Sequence, residues 1–336
     1  MSRGQRRGAV WVVAVWLALA GCSGHPAVEV VAVASRQWPP DDPRIELEQI
    51  VADRPSRRGF WRRLAGASAP ELLRRPYSVA WDGGDLLVTD PGAGRVVRID
   101  PRGRASATPP DLVAGPIGVA VCDAGIVVTD SERGRVLLLS EELRLIRRLV
   151  EGLERPTGVA CQGSTVFVAE TGRHRVLALT LEPSANVEAP TSVGSRGDGL
   201  GELNFPTALA LDRGKLWIGD TLNFRVQQYA IGPKEFDSVF GALGDSPGEM
   251  PRIKGLAVDR AGQIWISDGQ TDRVALYGSD GTFLMSLGAT GSADGEFSFP
   301  AGIATHPDGR VAVVDSLNRR VAIFRLLPRD SDDRIE

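Results

Sequence analysis

"GDTLNFRVQQY", residues 219–229, sets an acid at Asp220, four intervening residues, then Arg225 and Val226. The frame recurs in five other places. Its acids are Asp90, Asp130, Glu170, Asp220, Asp268 and Asp315, and five positions after each stand Arg95, Arg135, Arg175, Arg225, Arg273 and Arg320. A valine follows every arginine. Successive acids are 40, 40, 50, 48 and 47 residues apart, a period that belongs to propeller blades.

An apolar run precedes each acid: "LLVTD", "IVVTD", "VFVAE", "LWIGD", "IWISD" and "VAVVD". These runs lack the polar alternation of a strand with one wet face, so both faces are expected to be buried between neighbouring sheets. Further upstream lie "PYSVAW", "PIGVAV", "PTGVAC", "PTALAL", "IKGLAV" and "PAGIAT", with small side chains at Ser78, Gly118, Gly158, Ala208, Gly255 and Gly302. Such residues suit inner strands that crowd toward a common axis. The frame itself predicts a hairpin in which acid and arginine face each other, the carboxylate accepting from loop amides and from the guanidinium. The same pair in every unit argues for a fold-making device more than for a ligand site.

The units resemble the NHL-repeat family, whose pattern is roughly "P-x-G-V-A-V-D-x-x-G-x-I-Y-V-A-D-x-x-N-x-R-V-x-x-F". "FPTALALDRGKLWIGDTLNFRVQQY" (205–229) and "FPAGIATHPDGRVAVVDSLNRRVAIF" (299–324) are close to it. Units one to three depart from it, with Gly92 to Gly94 and Glu132 to Gly134 replacing the Asn-containing loop. The resemblance spans about Arg75 to Leu327 and implies an all-β fold, a six-bladed β-propeller of four-stranded blades. After "RVAIFRLL" only the polar tail 328–336 remains, too short for a fourth strand in blade six. The segment 44–51, "RIELEQIV", alternates Ile45, Leu47 and Ile50 with acids and is expected to close the ring, since an unpaired edge there invites aggregation. The closed ring is expected to be monomeric.

Arg3, Arg6 and Arg7 precede a 12-residue apolar run, Ala9 to Ala20, too short to span a bilayer, so residues 1–21 read as a signal peptide. "LAGC", residues 19–22, resembles a bacterial lipobox. That resemblance implies cleavage before Cys22 and a lipid anchor on it; with Ser23 next, the outer membrane is the expected address in a Gram-negative envelope. The lipid on Cys22 is the only cofactor-like group expected. Loss of residues 1–21 leaves 36 basic against 42 acidic side chains, a net charge of −6, which argues against a nucleic-acid partner. Residues 22–44, with four prolines after Cys22, read as a semi-extended tether. Cys122 and Cys161 stand eight and nine residues before their blade acids, so they are expected to point to opposite faces and remain unpaired.

Three Gly-rich linkers, "GSRGDGLGELNFP", "GALGDSPGEMPR" and "GATGSADGEFSFP", precede blades four to six and carry Asp198, Glu202, Asp245, Glu249, Asp294 and Glu296. Equivalent loops share one face, so these acids form a half-rim, either a docking surface for a partner or solvated turns; calcium would want denser ligands. The segment 54–75 holds Arg57, Arg58, Arg62 and Arg63 beside Phe60 and Trp61. It reads as a strap across the propeller that buries its aromatics, or as a surface for anionic headgroups or a partner.

The resemblance also reaches lyases and lactonases that hold a metal in the central channel. Such sites need several converging His or carboxylate ligands. The three histidines are His25 in the tether, His174, read as a surface turn residue, and His306, alone on its blade. The expected function is therefore a lipid-anchored envelope binding or scaffold protein without catalysis or metal, its partner a second envelope or exported protein. A channel hydrolase or lyase is the alternative.

Overall fold

Each copy of the frame forms the tip of a β-hairpin. In register, Asp90 pairs with Arg95, Asp130 with Arg135, Glu170 with Arg175, Asp220 with Arg225, Asp268 with Arg273 and Asp315 with Arg320. The computed structural model describes residues 28–53, 72–181 and 189–327. The signal segment, Cys22, Arg57, Arg58, Arg62, Arg63 and the tail 328–336 lie outside the described residues.

Five blades are four-stranded antiparallel sheets in chain order. Their inner strands are Ser78–Asp82, Pro116–Cys122, Pro156–Gln162, Pro206–Asp212 and Ile253–Val258, with Pro300–Thr305 in blade six. Each inner strand contacts the next, and the sixth contacts the first, so the ring is closed around a channel. Crowding explains the small residues there: a methyl on Gly118 would overlap the Thr157 carbonyl, and one on Gly302 would sit 2.5 Å from the Ser78 Cα. Six apolar clusters hold the ring, one between each pair of neighbouring blades.

Blade six has five strands. The expected closing strand is β2 (Ile45–Ala52), which pairs with Arg320–Leu326, and outside it lies β1 (Glu29–Trp38). A register shift between Leu47 and Gln49 turns the strand over. Ile45, Leu47 and Ile50 therefore pack toward blade five while Val51 packs toward blade one. β1 corrects the reading of 22–44 as a tether throughout. The prolines at 39, 40 and 43 fall in the connection to β2, which leaves the ten residues of β1 free of them. The Val28 N–H donates to the Gly103 carbonyl of blade one at 2.9 Å, so the N-terminal strands bridge both sides of the closure. Where the basic segment returns to the described chain, Leu72 and Leu73 are buried between blades six and one.

Cys122 and Cys161 form a disulfide, with Cα atoms 5.6 Å apart. The face-parity reading assumed that opposite faces diverge. In a propeller the opposite is true of neighbours, because the forward face of one blade meets the rear face of the next. Cys122 lies on the forward face of blade two, Cys161 on the rear face of blade three, and both border the same cluster.

Candidate functional site

The six repeat acids are buried, and what they share is an amide partner more than an arginine. Each accepts a hydrogen bond from the linker that enters its own blade: Asp90 from the Arg74 and Arg75 N–H groups, Asp130 from Ala114 and Gly115, Glu170 from Glu154. Asp220 accepts from Asn204, Asp268 from Arg252 and Asp315 from Ser298. Ion pairs close only four hairpins, at 3.0 Å for Asp130–Arg135, 2.7 Å for Glu170–Arg175 and 2.8 Å for both Asp220–Arg225 and Asp315–Arg320. Among the described residues, Arg95 and Arg273 face their acids in register without an ion pair. The six acids and the four paired arginines fix hairpins and linkers in place, which is structural work.

The long linkers divide their acids by role. Glu202 accepts from the Asp198 and Gly199 N–H groups at 3.0 and 2.9 Å, Glu249 from Ser246 at 2.8 Å, and Glu296 from Ala293 at 3.0 Å. Each glutamate folds back over the glycine five residues earlier, Gly197, Gly244 or Gly291, where any Cβ would overlap its carboxylate. Asp198, Asp245 and Asp294 stay exposed. Arg36 of β1 donates to the Asp294 carbonyl, and Trp38 covers Gly295. Arg225 holds the Gly199 and Glu202 carbonyls, and Arg320 those of Ser292, Ala293 and Glu296. Arg273 provides no such clamp for the linker of blade five.

Four leucines stand out on this face: Leu243 is 62% exposed, Leu317 57%, Leu200 56% and Leu222 46%. Leu200 and Leu243 sit in the linkers, Leu222 and Leu317 on the hairpin tips. Hydrogen bonds join tip to linker, Leu222 N–H to the Asn204 carbonyl and Leu317 N–H to that of Ser298. Sequence reading had picked the aspartates and passed over the leucines, although Leu200, Leu222 and Leu317 stand in loops that are otherwise polar and Gly-rich.

Val79, Val119, Val159, Leu209, Leu256 and Ile303, one from each inner strand, form an apolar waist in the channel and separate two mouths. The lower mouth carries His306, whose Nδ1 lies 2.7 Å from Asp308 and whose Nε2 lies 3.0 Å from the Gly83 carbonyl. Its ring packs on Trp81, which ties blade six to blade one. His174 departs from its expected place at the surface. It is 6% exposed, caps the Phe205 N–H through Nδ1 at 3.3 Å, and packs edge-on against the Phe205 ring. Burial pushes its pKa below the ordinary imidazole value, with Arg196 acting the same way. At the upper mouth Lys254 is the one charged side chain among the lining residues, and Tyr77 of blade one also lines it. Among the described residues no three His, Cys, Asp or Glu side chains converge as metal ligands.

No family model matches the chain, and no curated protein matches it. Among solved structures, a gluconolactonase from Xanthomonas campestris superposes with a TM-score of 0.61 at 15% identity, over 91% of this chain and 100% of that one. An auxiliary nutrient binding protein from Bacteroides thetaiotaomicron gives 0.60 at 12% identity, over 74% and 68%. Virginiamycin B lyase from Staphylococcus aureus gives 0.54 at 11% identity, over 75% and 95%. These likenesses show the fold alone. Two of the three neighbours are enzymes and one binds nutrients, so a shared propeller fits a binding and a catalytic reading alike.

Proposed function

We propose that the chain is a lipid-anchored envelope protein of NHL type that docks a protein partner on the linker face of blades four to six. The observation that carries this reading is the set of exposed leucines, Leu200, Leu222, Leu243 and Leu317, alongside the exposed Asp198, Asp245 and Asp294. Exposed apolar side chains that share one face with exposed carboxylates mark a site of association more often than a site of chemistry. The fitting partner presents an apolar patch edged with Lys or Arg. The linker of blade five is the natural centre, because it lacks an arginine clamp and lies beside a cleft lined by Pro247, Met250, Phe283 and Arg273.

In this reading Cys22 carries the lipid and the ring stands close to the membrane. Cys22 lies six positions before Val28, the first of the described residues hydrogen-bonded to the propeller, a reach of about 20 Å at full extension. Photo-crosslinkers placed at positions 198, 245 and 294 of the intact lipoprotein, activated in its native envelope, test the docking face. Adducts to one protein from these positions, and none from the lower-mouth position 308, support the reading. Equal labelling from both faces contradicts it.

A further inference from the structure

The residue immediately before the first residue of each inner-strand unit forms a ring at the upper mouth. Around it stand Arg75, Gly115, Arg155, Phe205, Arg252 and Phe299, so arginines occupy alternate blades one, three and five. In a six-bladed ring that spacing sets them about 120° apart around the axis. All three are exposed. Below the ring, Lys254 and Tyr77 line the channel itself.

These cations differ from the other arginines of the face. Arg135, Arg175, Arg225 and Arg320 are tied to buried acids, and Arg173 to Glu154 at 3.0 Å. Arg75, Arg155, Arg252 and Lys254 make no ion pair among the described residues. The Lys254 ammonium lies 5.4 Å from the centre of the Phe299 ring in place of a carboxylate. Burial pushes Lys254 down to about 8, and Arg252 and Arg155 push the same way against the weaker pull of Asp268. Burial raises the Tyr77 phenol above its ordinary value while Arg155, Arg252 and Arg75 draw it back, so all three guanidiniums are felt at that hydroxyl. The nearby acids do not cancel this field. Asp90 and Asp268, buried behind linker amides and without an ion pair among the described residues, offset it in part. Glu154 is held by Arg173, and Asp272 and Glu132 stand beside Phe299 and Gly115, so the four cations are balanced only indirectly.

We propose that the upper mouth is a binding site for a multiply charged oxyanion, a polycarboxylate or a phosphate ester, with Lys254 at its floor, Tyr77 beside it and Arg75, Arg155 and Arg252 on its rim. Repulsion among cations that have no ion-pair partner among the described residues is relieved when an anion enters, and a concave, partly dry mouth strengthens each charge-assisted hydrogen bond. The tyrosine hydroxyl donates alongside the guanidiniums. The waist of Val79 and its five counterparts stops the ligand from passing through. The mouth opens on the same face as the leucines, since Leu222 and Leu317 are bonded to Asn204 and Ser298 beside Phe205 and Phe299, but anion binding there does not depend on a docked protein.

Isothermal titration of the full chain in detergent micelles at low ionic strength, with citrate and separately with inorganic phosphate, tests it. Saturable binding of either probe is expected, weakening with added salt. Citrate alone binding identifies a polycarboxylate ligand, and phosphate alone a phosphate ester. Arg155→Gln and Arg252→Gln, both on the exposed rim, are each expected to weaken binding about tenfold. Lys254→Met is expected to abolish binding and to raise the melting temperature of the ligand-free protein at neutral pH, because it removes a half-buried unpaired charge. Affinity should fall as pH rises through about 8, where Lys254 loses its proton near Arg252, Arg155 and Asp268, with Tyr77 on the same lining. Absence of saturable binding by both probes, or unchanged affinity in both arginine variants, overturns the proposal.

Discussion

Cys122 and Cys161, 39 positions apart in the chain, join the inner strands of blades two and three with 5.6 Å between their Cα atoms. The bond crosses a blade interface, where opening of the ring would otherwise begin with separation of two sheets. The Cys122→Ser, Cys161→Ser double variant is expected to lose about 3 to 4 kcal/mol of stability. Urea unfolding of both proteins, with and without reductant, checks this: reductant should bring the parent to the level of the variant.

The second closure is not covalent. Deletion of residues 44–51 removes β2 and also detaches β1 from the sheet, exposing the edge of Arg320–Leu326. Aggregation is expected, whereas an equally stable monomer by size-exclusion chromatography would sink the closure account. Leu47→Ala, at a fully buried position, is expected to cost about 2 to 4 kcal/mol without aggregation.

The repeat arginines are unequal despite identical register. Arg320 is buried and holds Asp315 together with three linker carbonyls, so Arg320→Ala is expected to cost about 3 kcal/mol or more. Arg273 is exposed and, among the described residues, makes no ion pair, so Arg273→Ala should change stability by less than about 1 kcal/mol. Chemical denaturation of the two variants in parallel reads the difference.

His174 gives stability a pH dependence of known sign. Its folded pKa is lowered, so the unfolded chain takes up the proton first as pH falls below about 6.5. Stability is full above that value and declines as pH falls through the window beneath it. His174→Gln should flatten this part of the profile, measured as urea midpoints across the window.

The blade count, the hairpin register and the closing strand were legible because each rests on a local repeat: an acid, four residues, an arginine and an apolar run. What escaped were relations between blades. Parity within one sheet gave the wrong answer for Cys122 and Cys161, since neighbouring blades meet through opposite faces. Four prolines give residues 22–44 the composition of a tether, yet those at 26, 39, 40 and 43 all lie outside the strand Glu29–Trp38, so composition hides it. Arg75, Arg155 and Arg252 lie one residue ahead of the inner-strand units as those were delimited, so the alternation around the axis fell outside the alignment.

The most direct test of the docking account compares capture of partners by the intact lipoprotein and by its Leu243→Glu, Leu317→Glu double variant, read by quantitative mass spectrometry of native envelopes. Both leucines are exposed, so the substitutions should leave folding unchanged. One protein recovered in stoichiometric yield with the parent, and at least about tenfold less with the variant, is the predicted result. A stoichiometric partner retained equally by both proteins, or none with either, would contradict it.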